Sequence, residues 1–126
     1  MRKSIVLIIV AGGLFFPSQA FSPNIEPVGE IPGEVNKVLV LSCYDCHSSD
    51  ASNEDARKAL NFEKWNEYRV TKRIGLLEKI CEIIEEDKMQ PVKYLKNKPD
   101  RKLSVDQKTL ICDWSTKESS ALMGGN

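Results

Sequence analysis

Residues 43 to 47 read Cys-Tyr-Asp-Cys-His, and no other stretch of the chain limits its possible folds so sharply. Two thiols three residues apart can add to the two vinyl groups of a haem, and the adjacent imidazole is then held where it reaches iron. A chain committed to this chemistry must wrap apolar side chains around a large flat group. Two other readings compete. Four thiolates from Cys43, Cys46, Cys81 and Cys112 could hold zinc, and Cys43 with Cys46 could form a disulfide. Neither gives His47 a purpose, and Cys81 and Cys112 are not spaced as a second CxxC. A thioredoxin-like role would need a βαβ pattern around the motif, and none is present.

The start of the chain points to an oxidising compartment. Arg2 and Lys3 form a charged head, Ile5 to Phe16 is an almost unbroken apolar run, and Ser18-Gln19-Ala20 supplies small residues for cleavage. Residues 1–20 are read as a signal peptide, with the mature chain starting at Phe21. The apolar run is shorter than the roughly 20 residues of a spanning helix, so no stable membrane insertion is expected after cleavage. The destination is periplasmic or extracellular. The whole chain balances 18 Lys+Arg against 18 Asp+Glu, and loss of Arg2 and Lys3 leaves 16 against 18, a formal charge of −2. Without a basic block, nucleic acid is excluded as a partner. At 126 residues the chain holds one small domain, whose core needs help from a cofactor or a cross-link.

Local patterns predict an all-α fold, a small cytochrome c-like helical domain wrapped around one covalent haem. Pro23, Pro27, Gly29, Pro32 and Gly33 make residues 21–33 an extended leader. The haem-binding domain is expected over residues 34–117. Val35, Val38, Leu39 and Leu41 give a short helix running into Cys43. The polar turn 48–53 caps a helix from about Glu54, which bends near Asn61 to Glu63. Val70 to Glu86 is the strongest helix, with a stripe of Ile74, Leu77, Cys81 and Ile84 widened by Leu76, Ile80 and Ile83. Residues 87–103 read as a loop carrying Met89 and Tyr94. Ser104 and Gln107 form a capping box for a final helix to about Lys117, and residues 118–126 read as a flexible tail.

His47 is the only histidine, so a second axial ligand must be another residue type. Met1 leaves with the signal and Met123 sits by a Gly-rich end, which leaves Met89 as the distal candidate. Cys81 and Cys112 could be buried small hydrophobes or, in an oxidising compartment, a disulfide between the last two long helices. Trp65, Trp114 and Tyr94 are the aromatics expected near the ring.

The CYDCHS sequence, LNFEKW at 60–65, CEIIEEDKMQPVKY at 81–94 and LSVDQKTLICDW at 103–114 together resemble a family of small exported haem-binding domains related to mono-haem c-type cytochromes. The resemblance implies haem attachment at Cys43 and Cys46, His47 on iron, and Met89 as distal ligand. The chain departs from that family in two places. The polar turn replaces an aromatic, Pro-containing tract, and Gln90 stands between Met89 and Pro91, where the family tends to place Pro directly after Met. If His47 and Met89 both hold the iron of one haem c, no position is left for substrate. The expectation is then a one-electron carrier serving an unidentified redox protein, not an enzyme. The alternatives are an open-site haem protein, sensor or peroxidase-like, and a haem-free zinc or disulfide module.

Overall fold

The computed structural model describes residues 29–124, so the segment read as a signal peptide and all but the end of the stretch read as a leader lie outside the described residues. Six α-helices and two short 3-10 segments follow one another, with no strand among the described residues. The helices are α1 (Gly33–Ser42), α2 (Tyr44–His47), α3 (Glu54–Ala59), α4 (Val70–Glu85), α5 (Val92–Asn97) and α6 (Val105–Gly124). The 3-10 segments are Phe62–Glu67 and Pro99–Arg101. The all-α class read from the sequence is the class observed.

The helix starts follow the local chemistry of their caps. The Asn53 side chain accepts from the Ala56 N–H at 3.0 Å, satisfying one of the free donors at the start of α3. At α6 the capping box closes in both directions. The Ser104 N–H donates to Gln107 Oε1 at 2.9 Å, and the Gln107 N–H donates to Ser104 Oγ at 3.2 Å. The bend expected after α3 is the 3-10 segment, whose entry is held by Asn61 Oδ1 accepting from the Glu63 N–H.

One core joins the elements. Val35 and Leu39 of α1, Leu77, Ile80 and Ile84 of α4, and Ile111, Trp114 and Leu122 of α6 are buried together with Leu60, Phe62, Trp65 and Leu103. The packing of α4 on α6 is its main seam. There Ser115 and Ser119, both buried, lie in the same groove as Leu77 and Cys81, and their small side chains let the two helices approach closely. Cys81 and Cys112 are bonded to each other across this seam, with Cα atoms 4.9 Å apart. That bond removes two of the four thiolates the zinc reading required, and only Cys43 and Cys46 remain free.

Two elements differ from the sequence reading. The helix α6 does not stop near Lys117 but continues to Gly124, so residues 118–124 are helical rather than a flexible tail. Ser119 and Leu122 are buried in that last stretch. Residues 92–97, read as loop, form α5.

The described chain begins at a fixed point. Gly29 has φ near +100°, a region that side chains rarely adopt, and a Cβ there would lie 2.5 Å from Arg73 Nη1. Its carbonyl accepts from Trp65 Nε1 at 3.1 Å and from Arg73 Nη1 at 2.7 Å. Its N–H donates to the Glu118 carboxylate.

Candidate functional site

The C-terminus of α1 runs straight into the cysteine motif. The chain turns at Cys43, whose N–H still donates to the Leu39 carbonyl at 2.7 Å, and re-enters a helix at Tyr44. The His47 N–H donates to the Cys43 carbonyl at 3.0 Å, so α2 is a single turn that brings Cys43, Cys46 and His47 to one side. All three line a cleft enclosing about 720 Å³ out to its open mouth.

The cleft walls are chiefly apolar. Leu39 of α1, Leu60 and Phe62, and Ile80, Ile83 and Ile84 of α4 supply the bulk of the surface, with Leu103 beside them. This explains the wide stripe of α4. Leu77 and Cys81 face the seam with α6, whereas Ile80, Ile83 and Ile84 face the cleft. Met89, Gln90, Pro91 and Tyr94 also line it, so the structure brings Met89 into the same cavity as Cys43, Cys46 and His47.

His47 is oriented by a backbone group. Its Nδ1 lies 2.9 Å from the Leu60 carbonyl oxygen. A carbonyl can only accept, so Nδ1 carries a proton, and in the neutral form of the ring Nε2 then keeps a free lone pair. That is the tautomer in which an imidazole can ligate a metal through Nε2, with its other nitrogen held by an outer partner. The imidazole also meets the Phe62 ring edge-on at 6.1 Å between centroids, and Tyr44 stacks on Phe62 at 5.9 Å.

The Leu60 carbonyl is in turn held by its neighbour. Asn61 is buried; its N–H donates to the Tyr68 hydroxyl at 2.9 Å, and its Nδ2 donates to Ser49 Oγ at 3.1 Å. The Ser49 N–H donates to Glu63 Oε2 at 2.8 Å, which holds the Glu63 carboxyl below its ordinary pKa. Arg57 Nη1 donates to the Ala51 carbonyl at 2.9 Å. The polar turn that replaces the aromatic tract is therefore stitched onto the 60–63 segment, and it contributes Asn53 to the cleft wall.

On the opposite side, Asp45 ties α2 to α5. Tyr94 donates its hydroxyl to Asp45 Oδ2 at 2.9 Å, and Lys98 pairs with the same oxygen. The Lys98 and Tyr94 hydrogen bonds hold the Asp45 carboxyl below its ordinary range. Burial, with the Asp45 bond adding, pushes the Tyr94 phenol up to about 12. Burial also pushes the Cys43 thiol up to about 12, Cys46 adding to it, so the uncombined thiol stays protonated at neutral pH.

Of the aromatics expected near a ring, only Tyr94 lines the cleft. Trp65 and Trp114 instead pack on each other in the core, with ring centroids 5.6 Å apart. Phe62 and the Leu60 carbonyl are site features to which the sequence reading gave no role, and Gln90, noted there only as a departure from the family, lines the cleft. Phe62 lies in LNFEKW, the one sequence signal that touched this wall.

An all-α domain with an apolar cleft, bounded by a CxxCH turn and a methionine loop, has the lining of a site for an apolar cofactor. The model of the haem-binding domain matches residues 52–117, more than half of the chain, and the chain belongs to this family of haem-binding domains. The matched span begins after His47, so it contains Met89 and the cleft residues of α4 and α5 but not the cysteine motif. No curated protein and no solved structure matches the chain. The residues present fit a haem: the wall is apolar, and an imidazole held at Nδ1 by the Leu60 carbonyl shares the cavity with a thioether.

Proposed function

We propose that this haem-binding protein is a mono-haem c-type electron carrier of the periplasm or extracellular space. Cys43 and Cys46 would attach the haem through thioether bonds, His47 would ligate iron through Nε2, and Met89 would be the distal ligand. The observation that carries this reading is the meeting of the CxxCH turn and Met89 in one apolar cleft. The haem would supply one-electron chemistry, its ferrous state favoured by a thioether ligand.

The chain's own residues have the remaining tasks. The Leu60 carbonyl keeps the proton on Nδ1 and fixes the ring plane of His47. Ile80, Ile83, Ile84 and Phe62 exclude water, and burial of this kind is one of the protein's means of tuning potential. The cleft has no second histidine to serve as an acid–base group, since His47 is the only one in the chain. This favours electron transfer over peroxide chemistry. The Cys81–Cys112 bond accords with an oxidising compartment, where such cross-links persist.

The test is ligand access. The reduced wild-type protein is expected to bind carbon monoxide at least tenfold more weakly than Met89→Ala, and the variant should have the lower potential. Equal carbon monoxide affinity and equal potential in the two proteins would make the site an open one, without Met89 on iron.

A further inference from the structure

The structure assigns Gln90 as the positioning residue for Met89, an inference that rests on the ligand role proposed above. A helix leaves its last carbonyls without intrahelical partners, and α1 ends where the cysteine motif begins. Two of those carbonyls are met by side chains from the far wall. Gln90 Nε2 donates to the Ser42 carbonyl at 2.7 Å, and Arg101 Nη1 donates to the Leu41 carbonyl at 2.6 Å.

Gln90 makes two more bonds. Its Nε2 donates to the Arg101 carbonyl at 2.6 Å, and its Oε1 accepts from the Leu103 N–H at 3.3 Å. The amide orientation follows from these partners, because the two carbonyls can only accept and the Leu103 N–H can only donate. Both amide protons and the amide oxygen are thus in use. This one side chain joins three points: the residue preceding Cys43, the 3-10 segment after α5, and the start of the final helix's approach. It is also the residue immediately after Met89.

The consequence is mechanical. Met89 sits on a loop whose N-terminal side is held by Lys88 and Met89 N–H groups donating to the Ile83 carbonyl, at 3.0 and 3.3 Å. Its C-terminal side is held by Gln90. The Ser42 bond fixes Met89 relative to the backbone that carries the first cysteine of the motif, so the two sides of the cleft share a link between residues adjacent to Cys43 and to Met89. The residue that separates Met89 from Pro91 is therefore a clamp.

The test uses Gln90→Glu, which keeps the length and an acceptor for Leu103 but loses both donors, and Gln90→Ala, which loses all three bonds. In the haem-loaded protein each variant should lose the weak far-red absorption of methionine-bound iron and bind carbon monoxide at least tenfold more tightly than wild type, with helix content by circular dichroism unchanged. In the haem-free protein the Leu103 amide should exchange at least tenfold faster in Gln90→Ala.

Variants that keep the wild-type far-red band and carbon monoxide affinity would overturn the clamp, as would an unchanged Leu103 exchange rate. Absence of the far-red band from the wild type itself would instead remove Met89 as ligand, and the positioning role with it. The Leu103 exchange would then still report on the hydrogen bonds alone, which separates the two failures. If helix content falls in Gln90→Ala but Gln90→Glu keeps both its fold and its band, the role is structural and the assignment fails.

Discussion

Tyr94 illustrates how one side chain links the two walls of the cleft and why its contribution should depend on pH. Its phenol donates to Asp45, and the groups facing it are Asp45, Lys98, Arg101 and Cys46, with burial the leading influence on its titration. A group whose pKa is raised from 10.0 to about 12 stabilises the fold fully below pH 10, and that share is lost as pH climbs toward 12. Asp45 acts in the opposite direction. Its lowered pKa gives a share that is whole above the ordinary carboxylate range and lost as pH falls through the lowered value. The wild type should therefore exceed Tyr94→Phe in stability by about 0.5–1.5 kcal/mol at neutral pH, and the difference should shrink above pH 10. Denaturant titrations of both haem-free proteins at pH 7 and pH 11.5 check this, and an equal difference at the two pH values would contradict it. The residues that meet in the cleft were legible because their spacing is itself the signal: CxxCH names three positions, and the single histidine turned attention to Met89 as a fourth. Their supports were not legible. The Leu60 carbonyl that orients His47 and the carbonyls that Gln90 binds are backbone groups, which carry no sequence identity.

The helices show the same division between periodic and non-periodic signals. The segment α4 was legible because its apolar residues recur at helical spacing over four turns, and its unusual width has a cause, one edge facing α6 and the other the cleft. The end of α6 was not legible, since it buries Ser115 and Ser119 against α4 and the apolar rhythm fades after Trp114. The short helix α5 escaped for a related reason. It is held by Tyr94 and Lys98 reaching Asp45 rather than by an apolar face. The bond between Cys81 and Cys112 joins α4 to α6 across a sequence separation of 31. Closing a loop of that length is worth about 3–4 kcal/mol in the chain-entropy picture. Replacing both cysteines by Ala should lower the thermal midpoint by more than about 10 °C in a domain of this size, as read by circular dichroism. A shift of under about 2 °C would show that the seam needs no cross-link.

Among the described residues, the same helical elements build the core and the cleft. Leu39, Leu60, Phe62, Ile80 and Ile84 belong to the buried core and also line the cleft, so the site is an extension of the packing rather than a graft on its surface. The all-α class was legible from the absence of strand alternation and the strength of α4, and the described elements are helices alone. The anchoring of the first described residue was not legible, because it depends on contacts of Gly29 with Trp65, Arg73 and Glu118 that join distant parts of the chain. The central claim is that the CxxCH turn carries a covalent haem. The most direct test is the intact mass, under denaturing conditions, of protein produced by export in a host able to attach c-type haem. The mass should equal the polypeptide plus one haem, and a Cys43→Ala, Cys46→Ala double variant should show the polypeptide alone. Wild-type polypeptide without haem after denaturation would contradict covalent attachment.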